Sequence, residues 1–167
     1  MSLYQRGRHR RGGQAEGMDP RVTLITLGYA DVDAAHRFYL EGLGWPAILH
    51  VPGEVAFVQV APGVALALWR ADALAADIGP DEPVGSPAAG AVALAHNVGS
   101  PEEVAAVLDR AAAAGGTVLK PAQRAFFGGV QGYFADPGGA RWEVAWNPGL
   151  RVADDGTITM EGPDDDG

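Results

Sequence analysis

The run Val22-Thr23-Leu24-Ile25-Thr26-Leu27-Gly28, followed by Asp31-Val32-Asp33-Ala34-Ala35-His36-Arg37-Phe38-Tyr39 and then Gly42-Leu43-Gly44-Trp45, decides how this chain folds. The first run is apolar and rich in β-branched residues, which predicts a strand. Asp31 stands where a helix N-cap belongs. Ala34, Ala35, Phe38, Tyr39 and Leu43 then recur at helical spacing, and Gly42 and Gly44 close the helix. Three short strand candidates follow at Ala47–Val51, Glu54–Val60 and Val64–Arg70, punctuated by Pro52-Gly53 and Pro62-Gly63. The last two read as an antiparallel hairpin.

The same order then returns. Gly90–Val98 reads as a strand. Ser100-Pro101-Glu102-Glu103 has the form of a capping box with proline at the first helical position. Val104, Val107, Leu108 and Ala111 continue at helical spacing to Gly115-Gly116, so a helix near 101–114 is expected beside the first one near 32–42. Strands are expected at Thr117–Lys120, Ala125–Phe134 and Ala140–Trp146, with Asp136-Pro137-Gly138-Gly139 as the last turn. Asp31 and Ser100 mark equivalent points of a strand–helix–three-strand unit used twice. The expected division is a disordered tail at 1–19, a first module at 20–70, a linker at 71–89 with a short helical turn at Asp72–Ala76, a second module at 90–148, and an acidic tail at 149–167. Gly156–Met160 is a strand candidate within that last tail. Two such units give an α+β protein whose half-open curved sheets form a cup, a natural ligand site.

Composition limits what such a protein does. In 167 residues, 47% are apolar and 20% charged, which excludes global disorder. There is no cysteine, so disulfides, thiolate metal sites and a cysteine nucleophile are excluded. The longest apolar runs, such as Val64–Trp69, are far shorter than the roughly 18 residues of a membrane span. No apolar stretch follows the charged start, so a cytoplasmic protein with no membrane partner is expected. The net charge of −9 disfavours nucleic acid as a partner, because an acidic body repels phosphates. The exception is the arginine run at Arg6, Arg8, Arg10 and Arg11, which reads as a solvated tail.

The helix Asp31–Tyr39 with Gly42-Leu43-Gly44-Trp45, and the stretch Gly132-Tyr133-Phe134-Ala135-Asp136-Pro137-Gly138-Gly139-Ala140-Arg141-Trp142-Glu143, resemble the two signatures of the glyoxalase/bleomycin-resistance/dioxygenase (vicinal oxygen chelate) superfamily. The resemblance covers roughly residues 21–148. It implies paired βαβββ modules, usually in a homodimer. Metal-dependent members place His or Glu at four inward positions, which by motif spacing fall here on Leu24, about Ala67, Ala93 and Glu143. Leucine and alanine carry no donor atoms, and one carboxylate with water holds a divalent ion only weakly. The expectation is therefore no metal and no cofactor.

Strand parity assigns the faces. If those four positions face the cup, so do Thr26, Gly28, Ala65, Trp69, Ala95, Asn97 and Ala145. Ile25, Leu66, Leu68, Leu94, Trp142 and Val144 then face the helices, and His96 faces away from the cup. His36 is expected to be exposed on its helix and His50 to sit at a turn. The candidate ligand-binding residues are Thr26, Trp69, Asn97, Phe126, Tyr133 and Glu143. Glu143 reads either as an acid, base or acceptor at the cup floor, or as a carboxylate bonded to local donors such as Arg141, Arg124 or a backbone amide. The aromatic residues suit a flat or apolar small molecule; Phe126-Phe127-Gly128-Gly129 reads as a loop able to approach a ligand or partner chain. Three functions stay open: a metal-free binder of a small organic molecule, like the drug-sequestering bleomycin-resistance proteins; a metal-dependent lyase, isomerase or dioxygenase; and a dimerising module without a ligand. No catalytic residue is assigned.

Overall fold

A computed structural model describes residues 20–85 and 92–160. The tail expected at 1–19, the end of the acidic tail at 161–167, the last residues of the linker and the start of the strand expected at Gly90 lie outside the described residues. Two four-stranded sheets form, neither closed. The first has the order β1-β4-β3-β2, built from β1 (Leu24–Tyr29), β2 (Ala47–Val51), β3 (Val55–Ala61) and β4 (Val64–Arg70). The second has the order β5-β8-β7-β6, built from β5 (Ala93–Asn97), β6 (Thr117–Arg124), β7 (Val130–Ala135) and β8 (Arg141–Trp146). In each, the first strand runs parallel to the last and the others pair antiparallel. This is the same βαβββ unit twice, as the sequence predicts. A final hairpin pairs β9 (Leu150–Val152) with β10 (Ile158–Met160), so part of the acidic tail is ordered.

The first helix, α1 (Val32–His36), starts where expected: the Asp31 side chain accepts from the Ala34 N–H at 2.9 Å. It continues as a wider π-helical segment, Arg37–Gly42, in which Leu43 N–H reaches back to the Phe38 carbonyl. The second repeat's helix, α3 (Pro101–Ala113), begins with proline, but the Ser100 side chain makes no capping hydrogen bond, so the expected capping box does not close. Between the modules, α2 (Ala71–Ile78) is longer than the turn expected at Asp72–Ala76. It crosses the first sheet closely at Gly28, where a Cβ would stand 3.1 Å from the Ala71 Cα. β6 runs on to Arg124 through two bulges rather than ending at Lys120, and Ala125–Gly129 is the hairpin loop before β7.

Both helix-facing sides share one core. From the first module it takes Tyr29, Val32, Ala35, Phe38, Tyr39, Leu66 and Leu68; from the second, Val104, Leu108, Ala111, Phe134, Trp142 and Val144. Each large apolar side chain fully buried there contributes about 1.5–3 kcal/mol. Phe38 lies 6.1 Å, ring centre to ring centre, from Phe134, and Trp45 packs edge-on against Trp142 at 5.7 Å. The helices therefore lie between the two sheets, and each sheet turns its other face away from this core, so the single cup expected between the modules does not form within one chain.

A buried carboxylate ties the modules together. Asp136, in the turn after β7, is only 4% exposed. Its Oδ2 accepts from the Tyr29 hydroxyl at 2.5 Å and the Tyr39 hydroxyl at 2.7 Å. Its Oδ1 accepts from the Gly138 and Ala140 amides at 3.0 and 2.8 Å. The Trp142 indole N–H donates to the Tyr39 oxygen at 2.8 Å. Burial, first of all, and the adjacent carboxylate push both phenols well above their ordinary pKa.

Candidate functional site

Strand register separates the two faces of each sheet. On the first, Thr26 pairs with Ala67 and Ala67 with Phe57; one rung along, Gly28, Trp69 and Val55 share a level. This is the face away from α1, and it is largely apolar, with Thr26 and Gln59 as its polar side chains. Thr26 and Gly28 also line a cavity of about 240 Å³ beneath α2, with Leu74 and Ile78 on its wall and Glu82 at its edge. On the second sheet, Ala95, Glu143 and Tyr133 share a level, and Asn97, Ala145 and Gln131 share the next. Lys120 lies beside Tyr133 on β6.

The second face carries a cluster of polar side chains. Tyr133 hydrogen-bonds to Glu143; burial and then the Glu143 charge raise the Tyr133 pKa. Gln131 fits between its neighbours one way round: its amide nitrogen donates to Glu143 Oε1 at 2.7 Å, and its oxygen accepts from Lys120 Nζ at 2.9 Å. The Lys120 ammonium also stands 5.8 Å from the centre of the Tyr133 ring. The result is a half-buried relay from Lys120 through Gln131 to Glu143 and Tyr133. The donors to Glu143 are thus Tyr133 and Gln131. Arg141, one of the donors expected from sequence, bonds instead to the Gly139 carbonyl.

Of the six candidate residues, the structure joins Tyr133 and Glu143 directly. Asn97 lies one pair further along β5, exposed at the end of the strand. Thr26 and half-buried Trp69 stand on the first sheet. Phe126 is 94% exposed at the β6–β7 hairpin tip, edge-on to Phe127 at 5.4 Å, with no contact to the Glu143 relay. The cavity beneath α2 is lined by neither Trp69 nor Glu143. Gln131, Lys120 and Phe57 were missed. Gln131 was legible, since it is two residues from Tyr133 on one strand and so shares its face. Lys120 was not, because two β6 bulges break the parity that would have placed it.

Two histidine expectations are corrected. His36 is 4% exposed, not solvated, because its position in the first turns points it at the first sheet. Its Nε2–H donates to the Leu68 carbonyl at 3.3 Å. Burial, above all, lowers its pKa. His50 lies inside β2 rather than at a turn, and its Nε2 sits 3.1 Å from His36 Nδ1. His96 lies on the helix side as parity predicts, lining a cleft with Trp45, Arg110 and Trp142.

At the four superfamily metal positions only Glu143 supplies a ligand atom; Leu24, Ala67 and Ala93 supply none, and their same-face neighbours Thr26, Ala65 and Ala95 add a single hydroxyl. Among the described residues no group of three or more His, Cys, Asp or Glu side chains gathers to hold a metal. The residues present do not fit a resident metal ion on the outer face of either sheet.

A doubled βαβββ fold with a carboxylate on the last strand of the second sheet defines a class, and the chain belongs to it: the model of the glyoxalase/bleomycin resistance protein/dioxygenase superfamily matches residues 21–144. A glyoxalase-related enzyme from Fulvimarina pelagi is 41% identical, with a TM-score of 0.76, over 86% of this chain and 99% of that one. A glyoxalase/bleomycin resistance protein/dioxygenase from Nocardioides is 28% identical, with a TM-score of 0.66, over 83% and 91% of the two chains. A lactoylglutathione lyase from Agrobacterium tumefaciens is 25% identical, with a TM-score of 0.58, over 77% and 94%. None of the curated proteins compared with the chain matches it. Among the described residues no helix is long and apolar enough to cross a membrane.

Proposed function

We propose that the chain binds a small organic molecule on its cup faces without a resident metal, and that a second copy completes the site in a homodimer. The observation that carries this is the relay at Glu143. Its carboxylate is satisfied by Tyr133 and Gln131, with Lys120 behind them, at the one superfamily metal position that keeps a ligand atom. A polar wall of Lys120, Gln131, Tyr133, Glu143 and Asn97 suits a ligand with hydrogen-bonding groups. The apolar wall of Phe57 and Trp69 suits its carbon frame. Thr26 lies at the edge of that wall, and Phe126, on an exposed tip, is free to meet a ligand or a partner chain. The dimer is supported by apolar side chains left exposed on cup faces and strand edges, among them Leu24, Leu49 and Val51.

The second reading is a metal-dependent lyase, isomerase or dioxygenase. It is favoured by the 41% identical relative, which is described as an enzyme. The two readings part on one experiment: elemental analysis of the purified protein, then a ligand screen by thermal shift with and without a strong chelator. The proposal expects hits that survive chelation, weaken by at least about tenfold in Glu143→Gln, and quench Trp69 fluorescence. A stoichiometric metal whose removal abolishes binding overturns it in favour of the enzyme.

A further inference from the structure

We propose that His36 and His50 form a site for a borderline divalent ion of the zinc, nickel or copper kind, on the helix side of the first sheet and apart from the cup. His50 pairs with Ala56, whose side chain is fully buried on the face that carries α1, so the His50 imidazole points toward that helix. There His50 Nε2 meets His36 Nδ1 at 3.1 Å, with the two rings at right angles. Two nitrogens bound to one tetrahedral ion at the usual 2.0–2.1 Å stand about 3.3–3.4 Å apart. The observed spacing is therefore within a small side-chain movement of chelation, and His50, exposed on an edge strand, is free to make it.

The tautomers fit as well. The Leu68 carbonyl only accepts, so His36 Nε2 carries the hydrogen and His36 Nδ1 offers a lone pair. A ring nitrogen donating to a backbone carbonyl while the other faces outward is the usual support of a metal-ligating histidine. At present that lone pair accepts from His50 Nε2–H. On binding, the His50 proton transfers to its own Nδ1, and one N–H···N hydrogen bond gives way to two nitrogen–metal bonds with no net proton release. Asp33 adds charge beside the site: its Oδ1 lies 3.9 Å from His36 Nδ1 and is held by the Gly53 N–H at 2.9 Å. Water fills the remaining positions. Two imidazoles select zinc, nickel and copper over magnesium and calcium, and a bound ion would tie α1 to the edge strand β2.

The test is calorimetric titration of the full chain with nickel, zinc and magnesium chlorides at neutral pH, on the wild type and on His50→Ala, His50→Gln, His96→Ala and His9→Ala. The expected result is one equivalent of nickel or zinc and no magnesium binding. Affinity should fall at least about tenfold in both His50 variants, as one of two imidazole ligands is lost. It should be unchanged in His96→Ala and His9→Ala, and nickel should raise the wild-type melting temperature but not that of His50→Gln. Melting without metal checks that each variant folds; His50→Gln serves if His50→Ala does not. Undiminished binding in the His50 variants, or its loss in His96→Ala or His9→Ala, overturns the proposal.

Discussion

Replacing Asp136 with alanine tests whether the buried carboxylate joins the modules as the geometry implies. The substitution removes four hydrogen bonds at once: two from phenols, at 2.5 and 2.7 Å, and two from backbone amides, at 3.0 and 2.8 Å. A hydrogen bond to a charged group is worth about 1.5–3 kcal/mol, but such bonds do not add, because the phenols and amides share one acceptor. Losing the shared partner strands two buried hydroxyls, so the expected cost is about 3–5 kcal/mol, as for other broken buried charge networks. At about 2–4 °C per kcal/mol for a domain of this size, the melting temperature should fall by roughly 10 °C. The tyrosines should rank. Tyr29→Phe leaves the carboxylate three donors and should cost about 1–2 kcal/mol. Tyr39→Phe also leaves the Trp142 indole N–H without its acceptor and should cost about 2–4 kcal/mol. Urea unfolding, followed by tryptophan fluorescence and far-ultraviolet circular dichroism, measures all three. A cost below about 1 kcal/mol for Asp136→Ala, or Tyr39→Phe costing no more than Tyr29→Phe, would refute the reasoning.

Two further outcomes follow from the same contacts. Tyr29 and Tyr39 keep their protons in the fold to well above pH 10, whereas the unfolded chain loses them near that value, so the folded state binds more protons there; the two phenols' contribution to stability should be constant below about pH 10 and then fall by about 1.4 kcal/mol per pH unit per phenol, which denaturant titrations across alkaline pH will measure. Gly132→Ala would place a Cβ 2.5 Å from Leu108 Cδ1 and 2.8 Å from the Lys120 carbonyl oxygen, so it should cost about 1–3 kcal/mol by urea unfolding even though alanine suits a strand better than glycine.

The sequence by itself determined the doubled strand–helix–three-strand unit. Hydrophobic periodicity, the Asp31 cap and the Pro62-Gly63 turn are local signals, read within one element and its neighbours. Strand parity followed from the same local logic and put Ala95, Asn97 and Glu143 on one face; that Tyr133 stands opposite Glu143 there came from the pairing of the strands. Local signals failed where bulges break parity, as at Lys120, and where a helix outruns its own pattern, as at α2. They also failed wherever the partner is distant. Asp136 reads as a turn residue, yet the fold brings Tyr29 and Tyr39 to it from 107 and 97 positions away. His36 reads as a solvated helix residue because nothing in its own turn reveals that the first sheet covers it and that His50 comes to stand beside it. Which groups are buried together, and with what charge between them, depends on how the two sheets pack around shared helices. Only the tertiary structure decides that, since packing couples residues that sequence spacing keeps apart.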